Sequence, residues 1–115
     1  MSELLRLQWE GYPRYHRGKF NLLLHVVAVP LFLICNVGFV VALARGSWPW
    51  ALACLLAMVS SVALQGRGHK LEAVPPEPFT SAGNAVARIF LEQWVTFPRY
   101  FLTGGWLNAL RQSAG

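Results

Sequence analysis

The chain has 115 residues, 55% of them hydrophobic, with a formal net charge of +5 and a mean hydropathy of +0.40. That length limits it to one domain, and an apolar share above the usual value of about 45–50% argues for a small integral membrane protein rather than a soluble one. Cys35 and Cys54 both fall inside apolar runs, where they are small buried hydrophobes without metal-like or redox-like spacing.

Residues 1–19 place Trp9, Tyr12 and Tyr15 among basic side chains, a mixture suited to the headgroup level of a membrane. Pro13 and Gly18 are expected to break this interfacial segment into short pieces. Residues 20–44 form a first apolar span containing Pro30, where a kink is expected. No small-residue cleavage site lies between these segments, so a removable signal peptide is not expected. Arg45-Gly46-Ser47 makes a tip, and residues 48–65 form a second span that opens on Trp48-Pro49-Trp50, with proline suited to a first helical turn. Residues 66–79 are a polar segment with His69 and Glu72 that ends in the prolines Pro75, Pro76 and Pro78. Thr80 and Ser81 are positioned to cap a third helix over residues 82–97, which stops at Pro98 and whose charges favour lying along the interface. An aromatic and basic tail completes residues 80–115, and nothing repeats at a fixed period. The fold expected is all-α: a two-span transmembrane helical hairpin with an N-terminal interfacial segment and a C-terminal amphipathic interfacial helix.

The basic residues surround the spans instead of forming a patch, which argues against nucleic-acid binding. Arg6, Arg14, Arg17 and Lys19 precede the first span, Arg45 alone sits in the tip, and Arg67, Lys70, Arg88, Arg99 and Arg111 follow the second. This bias places both termini in the cytoplasm by the positive-inside rule. Each cation near an anionic membrane surface contributes about 1 kcal/mol. Arg88 and Arg99 therefore read more naturally as headgroup contacts than as a clamp for a substrate carboxylate.

Only three histidines are present. In an antiparallel hairpin turning at residues 45–47, His25 lies level with His69 and Asn21 with Glu72, because both helices rise about 1.5 Å per residue. Asn21 and His25 share one helix face, and Gln65, His69 and Glu72 share another. His16 would point away from His25 along an uninterrupted helix, and joins it only if the chain bends near Gly18. Two or three imidazoles with a carboxylate suit zinc or non-haem iron, with Asn21 and Gln65 as partners that orient the rings. The same residues also fit a plainer role, with Asn21 capping a helix, Gln65 bonding between helices and Glu72 pairing with Lys70 or Arg67.

The ordered set Tyr15-His16, Asn21, His25, Pro30, then Gln65, Gly68-His69, Glu72 and Pro75-Pro76 resembles the Mpo1-like family of 2-hydroxy fatty acid dioxygenase-like membrane proteins, formerly a domain of unknown function. The shared patterns are H-x4-N-x3-H-x4-P and G-H-x2-E, across roughly the first two thirds of the chain. The stretches Arg88 to Gln93, Phe97 to Tyr100 and Gly104 to Trp106 look like the ending of a shorter, bacterial-type branch of that family. The resemblance implies an iron(II)-dependent membrane dioxygenase that removes one carbon from 2-hydroxy fatty acids by α-oxidation. It further implies that His16, His25 and His69 hold the iron, with Glu72 and Asn21 in the same polar cluster. The partners implied are a fatty-acid lipid and dioxygen. The acyl tail would enter between the hairpin and helix 82–97, its carboxylate guided by Arg67, Lys70, Arg88 or Arg99.

Two other classes remain open on the sequence. One is a non-enzymatic lipid-binding or assembly protein whose polar cluster locks the hairpin; the other is a lipid hydrolase in which zinc activates water and Glu72 is the base. Two spans also leave much apolar surface exposed, which association into a homo-oligomer would cover.

Overall fold

A computed structural model describes residues 2–113, and every regular element among them is helical. Helix α1 spans Ser2–Tyr15, α2 Lys19–Ala44, α3 Trp48–Lys70 and α4 Ala82–Leu91; a π-helical turn, Glu92–Thr96, leads into α5, Phe97–Leu102, and α6, Gly105–Gln112, follows. Two of them, α2 and α3, are long and apolar enough to cross a membrane. At about 1.5 Å per residue they measure roughly 39 and 34 Å, against a hydrocarbon core of about 30 Å.

Their connection is a Schellman turn. Ser47 N–H donates to the Ala42 carbonyl at 2.8 Å and Gly46 N–H to that of Leu43 at 3.1 Å, with Gly46 at φ +69°, a conformation glycine adopts without a Cβ clash. Pro49 then occupies the first turn of α3, where its missing N–H is not needed. From this turn the two helices lie side by side: Gly38 faces the Cys54 sulfur, Ser61 Oγ donates to the Ala28 carbonyl at 2.6 Å, and Gly68 packs against Asn21. Their outward sides carry bare Val27, Ile34, Val40, Leu52, Leu56 and Val59.

Two elements, α1 and the third helix, depart from the sequence reading. Helix α1 runs unbroken through Pro13, whose missing N–H removes one bond near the end of the helix, while Tyr12 is buried at 4% exposure in a core with Val29, Phe97 and Tyr100. The second long helix runs past the span at residues 48–65, as the shared face of Gln65 and His69 requires. It continues through Gly66 and Gly68 to Lys70, so that Gln65 and His69 stand on one helix. The third helix does not stop at Pro98. Phe97 N–H reaches back to the Glu92 carbonyl, the wider π spacing, and Pro98 then falls in the first turn of α5.

Ser81 caps α4 by accepting from Asn84 N–H at 3.0 Å, and the Asn84 side chain accepts in turn from Thr80 N–H at 3.2 Å. The α4 and π segment docks against the long helices, with Phe90 edge-on to Phe32 and Trp94 Nε1 donating to Asn36 at 2.9 Å. Helix α1 lies across the same segment, where Gln8 donates to the Arg88 carbonyl at 3.0 Å. Helix α6 is tied to α2 by Trp106 Nε1 on the Leu22 carbonyl at 2.8 Å.

Candidate metal centre

The joint between α1 and α2 brings the first histidine into place. Residues 16–18 leave the helical path, with Gly18 extended at φ −75° and ψ 136°, and the chain folds back so that His16 is buried at 3% exposure beside His25 at 0%. Glu72 holds this bend. Its carboxylate accepts from Arg17 N–H and Gly18 N–H at 3.0–3.1 Å and from Asn21 Nδ2 at 2.8 Å, an anion set on the free donors at the start of α2.

His16, His25 and His69 meet at one point. Their ring centroids are 4.6–4.9 Å apart and their planes cross at 80–89°, so three ring edges converge. His16 Nδ1 bonds the Tyr12 carbonyl at 2.9 Å and His25 Nδ1 the Asn21 carbonyl at 3.0 Å. A carbonyl only accepts, so both Nδ1 atoms carry protons and each Nε2 is turned toward the centre. His16 Nε2, His25 Nε2 and His69 Nδ1 are all buried there without a hydrogen-bond partner. Leaving such atoms unpaired costs on the order of 1–3 kcal/mol each.

The fourth member is Glu92, the first residue of the π turn. Its Oε2 lies 3.4 Å from His16 Nε2 and 3.5 Å from His25 Nε2, and one ligand atom from each of the four side chains falls within 4.8 Å of all the others. Donors bound to one metal ion at about 2.0–2.2 Å stand roughly 3–3.5 Å from each other, which the two Glu92 separations match, while the widest separation in the group reaches 4.8 Å. A carboxylate oxygen facing two imidazole nitrogens needs a positive charge between them, either a proton or a metal ion. Burial alone would raise the Glu92 carboxyl, but the His16 and His25 imidazoles outweigh it and hold the group well below the usual carboxylate range.

The structure therefore joins the three histidines and replaces the expected carboxylate. Glu72 is occupied by backbone N–H groups and Asn21, outside the cluster, because α3 ends at Lys70 and Glu72, beyond it, no longer follows His69 along the helix. Asn21 orients His25 through its backbone carbonyl, while its side chain serves Glu72. Gln65 does not orient an imidazole. It forms a reciprocal amide pair with Gln93 at 2.8 and 2.9 Å and reaches Ser61 at 3.1 Å, which uses both ends of its amide to pin α3 to the π turn. Sequence reading passed over Glu92 and Gln93 as interfacial polarity. Their signal was present in IFLEQWV, a lone carboxylate and amide in an apolar run, which in a buried setting need partners.

The four basic candidates separate by position. Arg99 stacks on Trp9 at 3.9 Å, joining α5 to α1. Arg88 donates to the Glu77 and Pro78 carbonyls at 2.8 and 3.1 Å and lies over Phe79, fastening the proline segment, and it lines both cavities that reach His69 and Glu92. Arg67 is exposed on α3, and Lys70 lines a cavity of about 350 Å³ that also touches His69, Glu92 and Ile89. A second cavity, about 430 Å³, has Tyr12, His16, His69 and Glu92 in its wall. Volumes of this order accommodate small-molecule ligands. Comparison of the chain with protein-family models, curated proteins and solved structures finds no match.

Proposed function

We propose that the chain is a membrane-spanning helical hairpin that carries an iron(II) centre on His16, His25, His69 and Glu92 and oxidises a fatty acid of the 2-hydroxy type with loss of one carbon. The observation that carries this reading is the convergence of three buried, unpartnered imidazole nitrogens on one carboxylate. Iron(II) on four protein donors, with two of its six positions still free, would supply the activation of dioxygen that this oxidation requires. The substrate class comes from the resemblance of residues 15–76 to the Mpo1-like family.

The chain's own residues serve such a substrate in three ways. The Tyr12 and Asn21 carbonyls fix two imidazole orientations before any ligand arrives. Lys70, on the rim of the cavity that reaches His69 and Glu92, offers a cation to a carboxylate head. Val62 and Ile89 in the same wall give an alkyl tail an apolar path and keep water away. In the bilayer, the bare outer faces of α2 and α3 meet lipid or a second copy, and the excess of basic residues outside the tip sets both termini and the centre at the cytoplasmic face.

The test is elemental analysis of protein purified in mild detergent, with oxygen uptake measured on 2-hydroxy long-chain fatty acids. One iron per chain and substrate-dependent uptake are expected, both lost in H16A, H25A and H69A. Stoichiometric zinc without uptake would establish the polar cluster as a structural lock, since four donors fill a tetrahedral zinc site. Zinc with lipid hydrolysis would establish the hydrolase, although Glu72 is committed to backbone donors and would not be its base. Absence of any stoichiometric metal would end the metal-centre reading.

A further inference from the structure

Among the residues around the cluster, Tyr12 touches two of its members in three separate ways. Its ring stacks on the His16 ring with centroids 3.7 Å apart and planes 6° from parallel. Its backbone carbonyl takes the His16 Nδ1 proton at 2.9 Å. Its hydroxyl donates to Glu92 Oε2 at 3.0 Å, across 80 residues of sequence. The side chain is buried at 4% exposure, so none of these contacts competes with bulk water.

We infer, resting on the metal-centre reading above, that Tyr12 is a positioning residue that fixes both His16 and Glu92 and thereby sets the affinity and ligand field of the centre. The spacing explains why one residue does both. Tyr12 precedes His16 by one helical turn, so its carbonyl is among those left free at the end of α1 and falls directly under the imidazole. The stacked ring then prevents the imidazole from rotating about its outer bonds. The hydroxyl extends past the His16 ring to the carboxylate on the π turn and selects the oxygen that faces both Nε2 atoms.

The hydroxyl and the ring are separable by substitution. Tyr12→Phe keeps the stack and the carbonyl and removes only the bond to Glu92, whereas Tyr12→Leu removes the stack as well. Cobalt(II) is the probe, titrated into metal-free protein in detergent and followed by its visible ligand-field bands, after circular dichroism has established helical content. Wild-type protein is expected to bind one cobalt. Y12F should bind about 10–100-fold more weakly with shifted bands, as loss of a group supporting a metal ligand typically does, and Y12L should bind more weakly still. Tyr100→Phe is the packing control, because the Tyr100 ring lies 4.7 Å from that of Tyr12 in the same core; it should leave affinity and spectrum unchanged.

Y12F matching wild type within twofold with identical bands would overturn the inference. An equal loss in Y100F, which would assign the effect to general packing, would overturn it too. A wild-type protein that binds no cobalt would instead overturn the metal-centre reading itself, and so the two failures are distinguishable.

Discussion

Gly68→Ala should be among the most damaging single-methyl additions to the contact between α2 and α3. A Cβ at residue 68 would lie 2.2 Å from Asn21 Oδ1 and 2.9 Å from Leu24 Cδ2. Either the buried Asn21 and the Leu24 side chain must move aside or one helix must retreat by roughly 1 Å to restore van der Waals separation. Overpacking of this kind costs about 1–3 kcal/mol, and displacing Asn21 from Glu72 forfeits a hydrogen bond to a carboxylate worth roughly 1.5–3 kcal/mol more. His69 follows Gly68 directly and Asn21 holds both Glu72 and the His25 imidazole, so either adjustment disturbs the approach of two of the imidazoles. Gly66→Ala, one position before Arg67 on the same helix, meets nothing within 4 Å and should stabilise by about 0.5–1 kcal/mol through helix propensity alone. Chemical unfolding in detergent followed by circular dichroism, with cobalt titration beside it, measures both effects. Asn21→Ala in the G68A background should recover part of the loss, because it removes the nearest obstruction. If G68A matched G66A in stability and in metal affinity, the close approach of α2 and α3 at this level would be refuted, and with it the account of how His25 and His69 are brought together.

The two carboxylates should separate cleanly: E72A should lower stability by about 1–3 kcal/mol while still binding one metal per chain, whereas E92A should lose stoichiometric metal with its helical content intact. Elemental analysis beside thermal melts distinguishes them, and the reverse pattern would restore Glu72 to the centre. Metal uptake should weaken as pH falls, because protons compete with the metal for the imidazole nitrogens; metal titration at a series of pH values measures this, and an affinity independent of pH refutes ligation by the histidines. Because the Glu92 carboxyl is depressed in the folded chain, its contribution to the stability of the metal-free protein is present above an unfolded value of about 4.3 and is lost as pH falls through the folded value. E92Q should flatten that acid limb, and an unchanged acid profile would count against the coupling. Cys35 and Cys54 are free thiols within α2 and α3, so a membrane-impermeant maleimide should leave them unlabelled in intact vesicles and label them once the protein is unfolded in detergent; rapid labelling in vesicles would argue against spanning helices.

Local pattern alone determined the two long apolar helices, the turn at Arg45-Gly46-Ser47 and the Ser81 cap, because apolar runs, glycine at a helix end and a hydroxyl before a helix act within a few residues of themselves. It also placed His25 level with His69, since antiparallel helices of equal rise fix relative depth. Whether His16 joined them depended on a bend that periodicity cannot supply. That bend forms because Glu72, some fifty residues later, collects the Arg17 and Gly18 N–H groups. The identity of the carboxylate was decided by tertiary structure in the same way. Glu72 and Glu92 are both single acids on helix ends or turns, and only the docking of the π turn through Gln93 on Gln65, with α1 laid across it, turns Glu92 inward. Helical spacing says which side chains share a face; which face meets which is set by packing between segments far apart in sequence, and there the choice between two carboxylates was made.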